Sequence, residues 1–209
     1  MCGIVGIVDP LNKFENKKKL IEELNDSVSH RGPDDSGYYS DNLLSFGFRR
    51  LSIIDLENGN QPIIKNNIVT IFNGEIYNYI QLRNELIELG AKFYSKSDSE
   101  VVANAFLFWG IDCLKKFDGM FAICFYDRNK KEIFLARDRI GIKPLHYTIV
   151  NGTLFFSSET LTLTKIPGFK KEINLNAVSS YLSFRYPVDD DNLFFKKIYR
   201  VESGTFIKI

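Results

Sequence analysis

The order of hydrophobic and polar positions predicts many short β-strands interrupted by a few helices. Strands are predicted where β-branched and aromatic residues cluster between turn-forming residues, at positions 4–8, 37–55 (as a hairpin), 68–72, 120–126, 133–136, 146–147, 153–157 and 204–209. Helices are predicted where apolar residues recur every three or four positions, at 17–28, 80–89, from 98 onward, briefly after 158 and once after 174. The sequence contains no internal repeat.

The composition is that of an ordinary folded protein. The chain has 209 residues, 44% of them hydrophobic, which suits one large domain or two small ones. Its 27 basic and 26 acidic residues leave a net charge of +1, so the chain has no charge excess that would attract nucleic acid or an anionic membrane. Since no apolar run reaches the roughly 20 residues of a membrane span and the first residues do not resemble a signal peptide, we expect a cytoplasmic protein.

The cysteines and histidines are too scattered to indicate a metal site. Cys2, Cys113 and Cys124 are odd in number, widely spaced and free of any CxxC motif, so neither a disulfide framework nor a zinc site is expected. His30 and His146 lie far apart and are predicted to have structural or hydrogen-bonding roles. We therefore expect no metal.

Cys2 is a candidate nucleophile because removal of Met1 would make it the N-terminal residue. A thiol with an ordinary pKa near 8.5 would then lie beside an α-amine with a pKa of roughly 7.7–8.0, which joins a nucleophile and a base in one residue. The alternative is a small buried cysteine that opens a strand, which is the commoner role of a lone cysteine.

Three further positions each allow a structural and a chemical role. Asn73-Gly74 is a common hairpin turn, but an Asn amide and a Gly N–H can also converge on one oxygen as an oxyanion hole. Arg50 is either an exposed charge at a strand end, which the local sequence slightly favours, or a fork for a carboxylate. Asp98 either caps the helix that follows it, the more common role, or binds the ammonium of a ligand.

Eight short blocks follow one another along the chain. They are Met1-Cys2-Gly3-Ile4, His30-Arg31-Gly32-Pro33-Asp34, Arg50-Leu51-Ser52-Ile53-Ile54-Asp55, Gln61-Pro62, Asn73-Gly74-Glu75-Ile76-Tyr77-Asn78, Ser97-Asp98-Ser99-Glu100, Asp118-Gly119-Met120-Phe121-Ala122 and Arg137-Asp138-Arg139-Ile140-Gly141-Ile142-Lys143-Pro144-Leu145. Each block alone is a weak signal, but the ordered set resembles the class II glutamine amidotransferases. Within that family it is most similar to the glutaminase domain of glutamine-dependent asparagine synthetase.

The resemblance implies a fold and a set of site residues. The fold is α+β, a four-layer α/β/β/α sandwich of two antiparallel sheets known as the N-terminal-nucleophile hydrolase fold. The implied roles are Cys2 as nucleophile, Asn73 and Gly74 as oxyanion donors, Arg50 as the anchor of the glutamine α-carboxylate, Glu75 and Asp98 as acceptors for its α-amine, and backbone groups near Ile53 and Ile54 as pocket lining. Under this resemblance Arg50 and Asp98 become ligand contacts.

The resemblance also implies partners. Residues 1–209 form a glutaminase domain, with 174–209 leading toward a synthetase domain whose Ser-Gly-Gly-x-Asp-Ser loop does not occur in this sequence. L-glutamine is the implied substrate, and a synthetase domain or partner chain is the implied acceptor of ammonia. No cofactor is expected here, since ATP and Mg belong to the synthetase domain, and homo-oligomerisation is left open. Two other classes stay open: an amidase for another amide, and a non-catalytic interaction or regulatory module that retains the fold.

Overall fold

Two antiparallel β-sheets form the centre of the protein, which a computed structural model describes over residues 1–14, 16–52, 55, 59–185 and 193–209. The described strands are β1 (Gly3–Val8), β2 (Asp35–Ser40), β3 (Leu44–Arg50), β4 (Ile63–Lys65), β5 (Ile68–Ile76), β6 (Gly119–Asp127), β7 (Glu132–Arg137), β8 (His146–Val150), β9 (Thr153–Ser157), β10 (Tyr199–Arg200) and β11 (Phe206–Lys208). One sheet has the strand order β10-β8-β9-β1-β3-β2, and the other β11-β7-β6-β5-β4.

Helices lie on the outer face of each sheet. The described helices are α1 (Lys17–Asp26), α2 (Tyr79–Glu88), α3 (Asp98–Trp109), α4 (Cys113–Lys116), α5 (Thr160–Leu163) and α6 (Leu175–Phe184), with short 3-10 helices at Ser29–Arg31 and Gly110–Asp112. The apolar side of α1, including Leu24, packs with Val5 and Ile7 of β1. On the other sheet, Phe106 of α3 stacks on Phe125 of β6 with ring centroids 4.2 Å apart. No helix among the described residues is long and apolar enough to cross a bilayer.

The alternation of side chains along each strand fills the space between the two sheets. Ile4 of β1 and Phe46 of β3 face inward from the six-stranded sheet, and Val69 and Ile71 of β5 face them from the five-stranded sheet. The intervening residues of β5, such as Phe72, pack against the helices instead. Both faces of each sheet are therefore apolar, and the layers follow the order α/β/β/α.

Most elements predicted from the sequence are present, with boundaries that differ by a few residues. The predicted hairpin at 37–55 is formed by β2 and β3, but its second strand ends at Arg50. The predicted helix at 17–28 ends at Asp26. The sequence patterns missed β4, α4 and β10 because each is only two to four residues long.

Candidate active site

The same alternation directs three of the predicted site residues into the gap between the sheets. Cys2 lies two residues from Ile4 of β1, Arg50 four from Phe46 of β3, and Asn73 two from Ile71 of β5. Each side chain therefore lies on the same face as that inward-facing residue. β1 begins at the end of the sandwich where its antiparallel neighbour β3 finishes, so Cys2 and Arg50 come together there. The gap widens into a cavity of about 320 Å³, which Cys2, Arg50, Asn73, Gly74, Glu75 and Asp98 all line. This volume lies at the lower end of the range for small-molecule sites.

The sulfur of Cys2 lies against the backbone of Leu51. The Leu51 N–H donates to Cys2 Sγ at 3.5 Å, and the thiol lies 3.7 Å from the Leu51 carbonyl oxygen. Burial raises the pKa of the Cys2 thiol, and this is opposed by the Leu51 contact and by the positive charges of the chain terminus, Arg50 and Lys143. The site thus combines partial burial of the sulfur with three nearby cations.

Arg31 fixes the main chain of Cys2. Its Nε donates to the Cys2 carbonyl oxygen at 3.1 Å, and its Nη1 donates to Glu159 Oε1 at 3.1 Å. His30 Nε2 lies 2.9 Å from the same Glu159 oxygen, but its side chain is mostly exposed and it does not line the cavity. The predicted structural role of His30 therefore fits its position, and Arg31 is a site residue to which the sequence patterns assigned no role.

Arg50 is buried, with 6% of its surface exposed. Its Nη1 donates to Asn60 Oδ1 at 3.2 Å and its Nη2 donates to the Asp55 carbonyl oxygen. The interpretation of Arg50 as an exposed strand-end charge is therefore wrong. Its guanidinium is held by these loop residues at the wall of the cavity.

Asn73 and Gly74 lie within a continuous strand. They pair with Ala122 and Phe121 of β6, and β5 continues to Ile76, so the interpretation of Asn73-Gly74 as a hairpin turn is wrong. Asn73 is 1% exposed, and its Nδ2 has no hydrogen-bond partner among the residues that the structure describes. A buried amide donor without a partner is costly unless a ligand accepts from it.

The backbone N–H of Gly74 points away from β6. Phe121, which lies opposite Gly74, uses its N–H and carbonyl for Asp138, so β5 and β6 do not exchange hydrogen bonds at this pair. The N–H groups two residues before and after Gly74 also point away from β6. The Phe72 N–H donates to Gln61 Oε1 at 2.6 Å, and the Ile76 N–H donates to Asp98 Oδ2 at 3.1 Å. The Gly74 N–H therefore points toward the space between Gln61 and Asp98, both of which line the cavity.

Asp98 is buried beside Glu75 at the first turn of α3. The N-cap of α3 is Ser97, whose Oγ accepts the Ser99 N–H at 3.2 Å, so the interpretation of Asp98 as the helix cap is wrong. Burial and, to a smaller extent, the charge of Glu75 raise the pKa of the Asp98 carboxyl to about 6, against the hydrogen bond from the Ile76 N–H. A ligand cation at this position would be met by two carboxylates.

The cavity thus gathers six of the eight predicted site residues. The other two, Ile53 and Ile54, lie outside the described residues. The second histidine, His146, is buried at the start of β8 with its pKa lowered to about 4 by burial and by the charges of Arg200 and Arg137, in keeping with a structural role. Two further cavity residues, Gln61 and Lys143, belong to the blocks quoted above, but nothing in the sequence assigned them a role.

Comparison with known proteins gives the family. A family model for the glutamine amidotransferase domain matches residues 1–209. The chain belongs to this family. Glutamine-hydrolyzing asparagine synthetase 1 of Bacillus subtilis (strain 168) is 40% identical over 209 residues, which cover 98% of this chain and 33% of the relative. Glutamine-hydrolyzing asparagine synthetase 3 of the same strain is 36% identical over 183 residues, 86% of this chain and 30% of the relative.

The chain spans about a third of the length of these curated relatives. A solved structure, glutamine phosphoribosylpyrophosphate amidotransferase from B. subtilis complexed with ADP and GMP, matches with a TM-score of 0.65 and 20% identity over 83% of this chain and 45% of that one. This likeness confirms the predicted N-terminal-nucleophile hydrolase fold. The amidotransferase domain is homologous to the glutaminase part of the asparagine synthetases.

Proposed function

We propose that this amidotransferase domain hydrolyses L-glutamine to glutamate and ammonia through a γ-glutamyl thioester on Cys2. The observation that carries the proposal is the meeting, in one cavity, of Cys2 with the partnerless buried amide of Asn73. A sulfur nucleophile and an amide donor that line one cavity are two of the groups that acyl transfer requires.

The poles of the cavity suit a whole amino acid. Arg50 offers a guanidinium to an α-carboxylate, and Asp98 with Glu75 offers carboxylates to an α-ammonium. A substrate held at both poles has its side-chain amide as the group left to reach Cys2. Backbone groups near Ile53 and Ile54 would complete this pocket.

The proposed reaction begins with a free Cys2 α-amine, so Met1 has to be removed. Met1 lines the cavity, and its loss would open the site as well as free the base. The amine takes the thiol proton, and the thiolate attacks the γ-carbonyl carbon. Asn73 Nδ2 and the Gly74 N–H donate to the oxyanion that forms. The amine then returns the proton to the departing ammonia, and water hydrolyses the thioester to release glutamate.

We further propose that the ammonia serves asparagine synthesis or a related amidation. The named relatives are asparagine synthetases, and the present chain aligns with a third of their length. Free ammonia is mostly protonated at neutral pH and diffuses away, so a synthetase domain or partner chain is the expected acceptor. Residues 174–209 would lead toward that acceptor, and ATP and Mg would be bound there.

The test is glutamine hydrolysis by the purified protein, with Cys2 verified as the first residue by mass spectrometry. Cys2→Ala should abolish glutamate release, and Cys113→Ala, which removes a buried thiol outside the cavity, should retain it. L-asparagine and simple γ-amides should react poorly, because each lacks a pole or the right length. Equal turnover of those amides would instead indicate a general amidase.

A glutamine-like diazoketone separates the enzyme from a non-catalytic module. It should alkylate Cys2 and leave Cys113 and Cys124 unlabelled, because both are buried with strongly raised thiol pKa values. Absence of the Cys2 adduct together with absence of hydrolysis would support the non-catalytic module.

A further inference from the structure

Lys143 is a buried lysine in the cavity that the reaction above does not use. It is 6% exposed and lines the cavity together with Cys2 and Asn73. It lies on the loop between β7 and β8, far in sequence from both residues. Since lysine rarely lies buried without a partner, its position calls for a physical reason.

The loop is anchored so that Lys143 has a fixed main chain. The Asp138 carboxylate accepts the N–H of Ile142 at 2.8 Å and the N–H of Lys143 at 2.9 Å. Arg137 donates to the Lys143 carbonyl at 2.8 Å and to the Gly141 carbonyl at 2.6 Å. Two buried charged residues thus hold the backbone on both sides of Lys143, and this leaves its side chain as the part directed to the cavity.

The ammonium of Lys143 makes no hydrogen bond and no ion pair with the residues that the structure describes. Two other lysines with little exposed side chain differ in this respect. Lys17 donates to the Asn42 carbonyl oxygen at 2.6 Å, and Lys65 forms an ion pair with Glu100. A cation with so little contact with bulk water is stabilised by a nearby negative charge, so an anion that forms in the cavity would be a favourable partner for Lys143.

The partner of Lys143 could be one of the anions that bind or form in the proposed reaction. The substrate carboxylate has the Arg50 fork, and the oxyanion has the donors Asn73 and Gly74. The thiolate of Cys2 has the Leu51 N–H at 3.5 Å and the positive charges of the chain terminus and Arg50 nearby, but in the proposed reaction Arg50 is already engaged by the substrate carboxylate. The charge of Lys143 lies near enough to Cys2 to lower the pKa of the thiol.

We propose that Lys143 is the counter-charge of the Cys2 thiolate, a positioning residue that acts through Cys2 and rests on the proposed function in which Cys2 is the nucleophile. When the S–H bond breaks, the proton passes to the Cys2 α-amine and the electron pair stays on sulfur. Lys143 keeps its protons throughout, and the α-amine later returns the proton to ammonia. The lysine thus stabilises charge without transferring a proton.

Other charged groups surround Cys2 and must be held constant in any test. Arg50 and the chain terminus also lower the pKa of the thiol. Arg31 binds the Cys2 carbonyl and is paired with Glu159, while Glu75 and Asp98 line the cavity with carboxylates. Only a substitution that changes Lys143 alone isolates its effect.

The experiment is the rate of Cys2 alkylation by iodoacetamide as a function of pH, with Met1 removed and the adduct located by mass spectrometry. Lys143→Met should raise the midpoint of the profile by about one pH unit and slow alkylation at pH 7 about tenfold. Lys143→Arg should restore the profile. Lys17→Met, which removes a buried ammonium outside the cavity, should leave it unchanged.

The outcomes separate this proposal from the proposed function. An unchanged profile in Lys143→Met, in a protein that still hydrolyses glutamine, overturns the role of Lys143 and leaves Cys2 as nucleophile. Glutaminase activity that survives Cys2→Ala overturns the proposed function itself. If circular dichroism shows that Lys143→Met is unfolded, Lys143→Gln replaces it, and a profile like that of the wild type again contradicts the proposal.

Discussion

Arg31 and Cys2 are joined by a hydrogen bond of 3.1 Å from the Arg31 Nε to the Cys2 carbonyl oxygen, although 29 positions separate them. The Nη1 of the same guanidinium is held by Glu159. The direction in which Cys2 leaves β1 is therefore set by a side chain from the 3-10 helix that follows α1.

Replacement of Arg31 by lysine should lower kcat about 10–100-fold with a smaller change in Tm. Lysine keeps the charge but cannot bind the carbonyl and Glu159 in one plane, and a lost charge-assisted hydrogen bond is worth about 1.5–3 kcal/mol. Arg139→Lys is the control, because the Arg139 guanidinium likewise donates two hydrogen bonds, to the carbonyl oxygens of Phe117 and Lys115, away from the cavity. Equal losses of kcat in the two variants would contradict a specific role for Arg31.

Asn73→Ala should bind glutamine but hydrolyse it about 10²–10³ times more slowly. The variant loses one donor to the oxyanion, which is absent from the bound substrate and develops only as the thiolate attacks, so KM should change little. Steady-state kinetics and calorimetric binding of glutamine measure the two effects. The control Asn104→Ala removes a buried amide that bonds the carbonyls of Lys92 and Glu100 in and near α3, and its kcat should stay near that of the wild type.

Glutamine turnover should decline in acid through a group that titrates near pH 6. Asp98 has to be ionised to accept the substrate ammonium, and its pKa in the free protein is raised to about 6. Below pH 6 this protonation should add about a further tenfold fall in kcat/KM for each pH unit to the decline that protonation of the Cys2 α-amine causes from about pH 8 downward. Bound glutamine favours the ionised carboxylate, so the same limb in kcat should lie at lower pH. Coincident limbs in kcat and kcat/KM would argue against Asp98 as the ammonium acceptor.

Asp98→Asn should stabilise the ligand-free protein at neutral pH while it weakens glutamine binding. A shift of the Asp98 pKa from 3.8 to about 6 corresponds to a penalty of about 3 kcal/mol at pH 7. Because the folded pKa is the higher one, this penalty is absent below about pH 4, grows as the pH rises to 6 and is constant above it. Urea unfolding at pH 4 and pH 7 measures the difference between variant and wild type. A variant less stable than the wild type at pH 7 would refute this account.

Gly74→Ala should damage both the sheet and the reaction. A Cβ at Gly74 would lie 2.2 Å from the Met120 carbonyl oxygen, so β5 and β6 would have to separate. Gly90→Ala is a control of the opposite kind, since Gly90 has a φ of +93° but no atom near its Cβ position. It should cost about 1–2 kcal/mol of stability and leave kcat unchanged. Melting curves and kinetics on folded protein distinguish the two.

An N-terminal extension should remove glutaminase activity without unfolding the protein. With Met1 or a tag retained, the Cys2 α-amine is an amide and cannot accept the thiol proton, which should cost about 10²–10⁴ in rate. Protease cleavage that exposes Cys2 should restore activity, and mass spectrometry verifies each species. Full activity in a verified extended protein would show that the amine is dispensable.

The sequence allowed the fold and most of the site to be predicted through the ordered blocks, but not from periodicity alone. In β1, both Ile4 and Val5 are buried, because one side packs on the other sheet and the other side packs on α1. The alternation of side chains alone therefore does not indicate whether Cys2 faces the other sheet or α1. Once the two sheets are known to pack face to face, the same alternation shows that the side chains of Cys2, Arg50 and Asn73 face the space between them.

The errors have separate physical causes. Asn73-Gly74 has the chemistry of a turn, but pairing with β6 overrides that local preference. Arg50 has the pattern of an exposed strand end, yet Asn60 and Asp55, ten and five residues later, fold back over its guanidinium. Lys143 could not be assigned because its burial depends on the loop after β7 reaching the cavity that Cys2 also lines, a long-range arrangement that no local pattern encodes.

Cys2 extends from one sheet and Asn73 belongs to the other, and between them the sheets are joined by apolar side chains such as Ile71 and Phe46. Such a layer has no directional bonds, so its thickness is governed by the volume of its side chains. The distance between the Cys2 sulfur and the Asn73 amide is consequently set by the size and packing of these apolar side chains. A methylene gained or lost in this layer would change the distance between the Cys2 sulfur and the Asn73 amide and so the reaction rate. Residues that touch no substrate are therefore under selection for the rate.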